Sequence, residues 1–389
     1  MKYADFRNTP SGRLVSTIYG ERAFVPNPLP PELDLSRIAF SLSDAMASIG
    51  ELRGACRRLQ NAYLMIRPLQ RREALTSSAM EGTFSTDDEL VLAEAGITRP
   101  QSDDTQEVTN YLRALSTALS RVKDEPITNR MLRDAHRTLL SSVGRHRGAN
   151  RLPGEFKRDQ NLIGGTTLDT ARFIPPPPNE TLDCMSALER YINREDACAS
   201  TALVDIALVH YQIETIHPFA DGNGRVGRML ISLMAVKSGL LHMPALYLSP
   251  VIERDKDRYI DALYAVSAKG NWEGWLTYFF DVVTTSCKET VETIDRLLLL
   301  QEAYRQKAGT AIRSANVLSI IDMLFESPVT TPKLIVERLG ITDVAARNLL
   351  AKLCDMDILY EHRDIYPKAY IAFGIIEATK PKAGQQSSV

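Results

Sequence analysis

His217–Arg228 reads HPFADGNGRVGR, and it stands between two apolar stripes of helical period. On its N-terminal side Leu203, Ile206, Ala207, His210 and Ile213 recur at helix spacing. That helix must end at His217, because Pro218 disfavours helical geometry in the residue before it. After Gly222-Asn223-Gly224 a second helix restarts, with Val226, Met229, Leu230, Leu233 and Met234 as its apolar face. Working outward, the pattern is helical nearly throughout residues 38–300, which predicts a helical bundle. Residues 154–178, GEFKRDQNLIGGTTLDTARFIPPPP, interrupt it as a β-hairpin around Gly164-Gly165, closed by four prolines. Residues 1–37 are Pro-rich and predicted to run irregularly over the surface. Beyond residue 310, three short capped helices precede two strands in YEHRDIYPKAYIAF. That is the pattern of a winged helix with residues 342–358 as recognition helix. The fold class is therefore mainly α. Its expected parts are helices in 1–110, a core in 111–305, a winged helix in 310–377 and a tail of disordered composition in 378–389.

Bulk composition narrows the function classes. A chain of 389 residues is long enough for two or three domains. A net charge of −2 argues against a nucleic-acid polycation or a membrane-surface binder. No apolar run approaches the roughly 20 residues of a membrane span, and MKYADFRNTP lacks the core of a signal peptide. Cys56, Cys184, Cys198, Cys287 and Cys354 are scattered, odd in number and without CxxC spacing. They read as reduced, mostly buried thiols of a cytoplasmic protein.

The chemistry is concentrated in the quoted stretch. Gly222, Asn223 and Gly224 tolerate positive φ, so successive amides can converge into an anion nest at a helix start. Arg225 and Arg228 are three apart and are neighbours on the helix surface. Such a site suits linked phosphates. Asp221 beside it needs a cation between itself and those phosphates, and Mg²⁺ is the natural choice. His217, at the preceding helix end, can take a proton from an attacking hydroxyl. Each feature is commonplace singly; the combination points to phosphate handling. Elsewhere, RREALTSSAMEG (71–82) reads as a helix ending on Gly82. Glu81 then lies in the last turn, where negative charge is disfavoured by about 0.3–1 kcal/mol.

These motifs resemble those of Fic-domain proteins. His217–Arg228 matches the family signature H-P-F-x-[DE]-G-N-G-R-x-x-R at every position, and QNLIGG with FIPPPP resembles its flap hairpin. Ser77-x-x-x-Glu81-Gly82 resembles the family's inhibitory motif. The resemblance implies a protein adenylyltransferase that moves AMP from ATP to a Ser, Thr or Tyr hydroxyl. It implies His217 as base and Asp221 as Mg²⁺ ligand, with Gly222, Asn223, Gly224, Arg225 and Arg228 holding the phosphates. Gln212 is a further nucleotide-contact candidate. Glu81, set against Arg228, would inhibit in cis by taking the place of the γ-phosphate. The hairpin would align the target by strand addition. Partners would be ATP and a hydroxyl-bearing protein, the chain itself among the candidates; a homodimer and DNA binding by the winged helix are further partner readings. The recognition helix offers only Arg347 and Lys352 against Asp343, Asp355 and Asp357, so protein contact is at least as well supported as DNA. Rival readings are removal of AMP with Glu81 positioning water, phosphotransfer by inverted nucleotide binding, which Asn223 argues against, and a transcriptional regulator with a sensing Fic domain.

Overall fold

The computed structural model describes residues 1–17, 20–59, 62–97, 102–144, 152–197, 201–311, 314–362 and 368–380. After a short 3-10 turn, strands β1 (Gly12–Ser16) and β2 (Arg22–Pro26) pair antiparallel. Helices α1 (Ala39–Arg57), α2 (Ala62–Ala79), α3 (Asp87–Glu94), α4 (Asp103–Val122) and α5 (Asn129–Leu139) follow. The chain continues through α6 (Pro178–Ile192), α7 (Ala202–Ile216), α8 (Asn223–Lys237), α9 (Ser249–Arg254), α10 (Lys256–Lys269) and α11 (Trp272–Ala311). The C-terminal part comprises α12 (Ala315–Glu326), β3 (Val329–Thr330), α13 (Pro332–Leu339), α14 (Asp343–Asp355), β4 (Tyr360–His362), β5 (Ala369–Ile371) and α15 (Phe373–Thr379).

Local chemistry explains the boundaries. Thr86 and Glu89 form a reciprocal capping box on α3, and Ser102, Thr128, Thr331 and Thr342 cap α4, α5, α13 and α14. Pro178 opens α6, where a missing N–H costs nothing. α7 and α8 are buried almost all round, as a helix without a polar face must be. α2, α4, α5, α6, α10 and α11 pack around this pair, so the His217–Gly222 connection is held between two buried helices. The 40-residue α11 packs along α1 and continues into the C-terminal part.

Several expectations need correction. Residues 1–37 are not an irregular surface run. Phe6, Phe24 and Phe173 form one aromatic cluster, and the Phe24 N–H donates to the Ile174 carbonyl at 2.9 Å. The N-terminal hairpin thus braces the 154–178 segment. That segment makes a single antiparallel bridge, Ile163 with Phe173, rather than two strands. The edges expected at 110 and 305 fall inside α4 and α11, which cross them unbroken because their apolar faces stay buried there. The C-terminal sheet has a third strand, in the order β3-β5-β4. Val329-Thr330 is too short to show alternation in sequence. Thr379 ends α15 inside the expected tail, whose residues 381–389 lie outside the described ones. Among the described residues, no helix is long and apolar enough to cross a membrane.

Candidate active site

His217 caps α7 in the left-handed conformation, with φ 50° and ψ 61°. The residue before Pro218 cannot continue the helix, and the chain reverses there. Three side-chain donors hold the reversed backbone. Lys157 Nζ donates to the Ile216 carbonyl at 3.0 Å and the His217 carbonyl at 2.9 Å. Asn161 Nδ2 donates to the Phe219 carbonyl at 2.7 Å and the His217 carbonyl at 3.2 Å. Asn223 clasps Phe219, accepting its N–H and donating to its carbonyl, both at 2.8 Å.

The His217 ring is thereby aimed. Its Nδ1 lies 3.3 Å from the Glu214 carbonyl, which fixes the proton on Nδ1 and leaves the Nε2 lone pair free. Burial, and then the neighbouring Lys157 ammonium, push the imidazole down to about 4. The ring is neutral at pH 7, the form a general base requires.

On the other side of the loop, Gly222 takes φ 74° and caps α8, while Asn223 and Gly224 are already helical. The nest is therefore a helix N-terminus with one left-handed residue, not a run of positive φ. The amides of its first turn have no carbonyl upstream, and the helix dipole adds positive charge. The Glu81 carboxylate reaches this helix start. Its Oε1 lies 2.7 Å from Arg228 Nη2 and against Gly224, where any Cβ would overlap it. Arg228 is 4% exposed and also donates to the Ser77 hydroxyl and carbonyl, each at 2.8 Å. Burial raises the Glu81 carboxyl, but Arg228 outweighs it and the net direction is down, so the group is an anion. Ser77 and Gly82 serve this placement. Gly82 turns the chain out of α2 with φ 79°.

A cavity of about 530 Å³ opens beside this pair. Glu81, Glu214, His217 and Arg228 line it together with Ile163, Phe173, Tyr259 and Leu263. Burial raises the Glu214 carboxyl to about 7, opposed by Arg228. The Asp221 side chain is 38% exposed at the loop, and one carboxylate oxygen accepts the Gly222 N–H at 2.6 Å. The described residues contain no cluster of three metal-ligating side chains. The Asp221 carboxylate, 3.7 Å from Arg225 Nη2 and partly open to solvent, fits as one of the one or two carboxylates that Mg²⁺ takes while phosphate oxygens and water fill its shell.

Two expected ligands point elsewhere. Arg225, 2% exposed, pairs with buried Glu107 and does not line the cavity. Gln212 donates to the Asn27 carbonyl at 2.9 Å and so ties α7 to the N-terminal hairpin. The Asn223 side chain is consumed by the Phe219 clasp, leaving its backbone amide for a ligand. Sequence reasoning missed Lys157, Asn161, Glu107, Glu214 and His136. His136 donates from Nε2 to the Asp221 carbonyl at 3.0 Å and stacks on Phe219 at 4.0 Å. All but Glu214 come from segments distant in sequence; only Glu214, one turn before His217, had a local signal.

Residues 40–120 match the Fic/DOC family N-terminal model and residues 126–235 the Fic/DOC family model. Protein adenylyltransferase Fic of Drosophila melanogaster is 29% identical over 204 residues, covering 51% of this chain and 38% of its own length. The Culex quinquefasciatus protein of the same name is 34% identical over 117 residues, or 30% of this chain and 21% of its own. The chain thus spans well under half the length of these curated relatives. A Fic family protein from Desulfovibrio desulfuricans G20 superposes with a TM-score of 0.52 at 18% identity, covering 89% of this chain and 98% of that one. Fic-1 from C. elegans gives 0.51 at 19%, covering 67% and 75%. At these identities the solved structures establish a shared fold.

Proposed function

The chain belongs to the Fic/DOC family, and from that premise we propose that it transfers AMP from ATP to a hydroxyl group of a protein and is held inactive by Glu81. The observation that carries this reading is the Glu81 carboxylate lying on Gly224 and paired with Arg228, beside a neutral His217. The substrate hydroxyl attacks the α-phosphorus while His217 Nε2 takes its proton. The bond from that phosphorus to the bridging oxygen breaks, and pyrophosphate leaves. The first-turn amides of α8 and Arg228 hold the phosphates. Asp221 would hold Mg²⁺, which when bound neutralises charge on the leaving group. Arg225 acts by fixing α8 through Glu107 rather than by touching the nucleotide. Glu81 and a γ-phosphate compete for one anion site, so ATP can bind productively only when Glu81 leaves.

The test is incubation with α-labelled ATP and Mg²⁺, counting label on protein. Glu81→Gly should raise labelling strongly, and His217→Ala should lower it by about 10²–10⁴-fold in the released background. Labelling indifferent to both substitutions refutes the reading. The cavity also places Glu81 near His217, which favours a second reading: removal of AMP from a modified protein, with Glu81 orienting water. Loss of AMP removal in Glu81→Gln without gain of labelling selects it.

The C-terminal part is assigned as a winged helix from its helix–strand order and its three-stranded sheet. Arg347 on α14 is spent on Asp343 at 2.6 Å, so a protein target is the better partner than DNA. Buried thiols at Cys56 and Cys287, pushed up to about 11 and about 12 by burial, suit a reducing cytoplasm.

A further inference from the structure

The flap in residues 154–178 has almost no ladder of its own, since Ile163 with Phe173 is its single antiparallel bridge. A ribbon with so few internal bonds does not hold its own position in water. Yet Ile163 and Phe173 line the active-site cavity from the flap, and Tyr259, Leu263 and Tyr264 line it from α10. The spacing of these two elements must be fixed by what touches both. Arg172 of the flap reaches α10 directly, pairing with Asp261 and lying over the Tyr264 ring at 5.2 Å. The two charged side chains are 40% and 65% exposed, and exposed pairs of this kind contribute little.

Phe6 joins the same two elements through a buried contact. It is 2% exposed, and its ring centroid lies 6.0 Å from that of Phe173 and 5.4 Å from that of Tyr264, edge-on to the latter. Phe24 backs it at 5.4 Å, and Ala268 of α10 completes an apolar cluster separate from the main core. Aromatic pairs at these distances contribute beyond the area they bury. The polar ties of the same segment lead to the same place. Asp5 accepts the Tyr264 hydroxyl at 2.9 Å, and the Thr9 hydroxyl donates at 2.7 Å to the carbonyl of Ser267, a residue lining the cavity. Phe6 does not line the cavity itself, and it lies outside the residues matched by either family model. We infer that Phe6 is a positioning residue for the nucleotide: it wedges the flap against α10 and so keeps the cavity at the width that holds ATP. The inference rests on the transfer reading above only for the identity of the ligand.

The experiment uses the full chain carrying Glu81→Gly, with calorimetric titration of ATP and Mg²⁺, the ATP dependence of labelling, and amide hydrogen exchange. Phe6→Ala should raise both the Kd and the half-saturating ATP concentration about tenfold, as expected when the flap is in place about a tenth of the time. Maximal labelling should fall by far less than the half-saturating concentration rises. Exchange should quicken in residues 161–175 and 256–267 and not in α7 or α8. Phe6→Leu keeps much of the apolar volume and should weaken ATP binding only about threefold. Asp261→Asn, which removes the exposed pair, should shift the Kd by less than about threefold. A lowered melting temperature in Phe6→Ala with the Kd and flap exchange unmoved overturns the inference. So does a Kd more sensitive to Asp261→Asn than to Phe6→Ala. If Phe6→Ala does not accumulate as folded protein, Phe6→Leu decides by the same two readouts, and identity with its parent overturns the wedge. Absence of labelling in the Glu81→Gly parent refutes AMP transfer and leaves this test standing, because binding is read from heat. A parent that binds no ATP overturns both.

Discussion

Lys157→Met tests whether the active histidine is aimed by a residue outside the motif. Lys157 is 4% exposed and donates from Nζ to the carbonyls of Ile216, the last residue of α7, and of its cap His217. Those carbonyls are among the orphans every helix end must satisfy, and they lie at the negative pole of the dipole. Burial pushes the ammonium down to about 7, so the group is only partly charged at neutral pH, but the amine keeps its donors in either state. Methionine matches the volume and removes the donors. The His217 carbonyl keeps Asn161, while the Ile216 carbonyl loses its side-chain donor, at a cost of about 1–3 kcal/mol. Relief of the buried ammonium offsets part of that, so overall stability should change by no more than about 2 kcal/mol. The left-handed geometry at His217, worth about 1–2 kcal/mol of strain, then loses a restraint and the ring drifts. A displacement of about 1 Å at a catalytic group can cost 10²-fold, so kcat for labelling in a Glu81→Gly background should fall by roughly 10–100-fold. ATP affinity should hold, because Lys157 does not line the cavity. The pH profile supplies an independent readout. Lys157 is one reason, after burial, that His217 is held down to about 4, so removing its charge should move the acid limb upward. Lys157→Arg should restore kcat. Unchanged kcat and acid limb in Lys157→Met, with only a shifted melting temperature, would refute this role.

Glu81→Gln leaves Arg228 its two bonds to Ser77 but removes its anion, so the nucleotide-free protein should lose about 1–3 kcal/mol by denaturant titration, while ATP binds at least tenfold tighter by calorimetry. Glu107→Gln removes the close partner of the buried Arg225 guanidinium, leaving only Asp221 at 3.7 Å, and should cost about 3–5 kcal/mol, measured by chemical denaturation, without altering which nucleotide binds. Asp221→Asn should raise the Mg²⁺ concentration needed for labelling by at least tenfold while the fold, followed by circular dichroism, is unchanged. Acid should unfold the protein early. His136, His210 and His217 are pushed down by burial to about 4, 3 and 4, so below pH 6.5 the unfolded chain takes up protons that the native one refuses. Glu214, raised to about 7, works in the opposite direction between pH 7 and 4.5. The three histidines outnumber Glu214 and Glu73, whose carboxyl burial also raises, so stability should fall as pH drops from 6.5 towards 4.5, with a limiting slope of about 1–2 kcal/mol per pH unit. A flat profile there would contradict their burial as neutral rings.

The sequence by itself determined the features that depend on neighbours along the chain. Pro218 ends α7, Gly222 caps α8, and the apolar residues on both helices, spaced at the helical period, bury them as a pair; each follows from short-range geometry. The same holds for the capped helices of the C-terminal part and for the turn at Gly82. Glu81 looked misplaced at a helix C-terminus on electrostatic grounds alone. Only the tertiary structure decided what its charge meets, because Arg228 lies 147 residues away and Gly224 supplies the space. Tertiary packing also divided the two arginines that share a helix start. Arg228 faces Ser77 and Glu81 at the cavity, while Arg225 is turned into Glu107 on α4. Lys157 and His136 read as ordinary polar residues in sequence, since nothing local shows that their polar atoms end on carbonyls of the signature loop. The N-terminal hairpin was illegible for a similar reason. Its residues lack regular alternation, and it is held by Phe6 and Phe24 packed in tilted and edge-on contact with Phe173, made only once the helices have placed the flap. Periodicity and turn chemistry act within about one helical turn, and the partners that give these side chains their roles lie far beyond it.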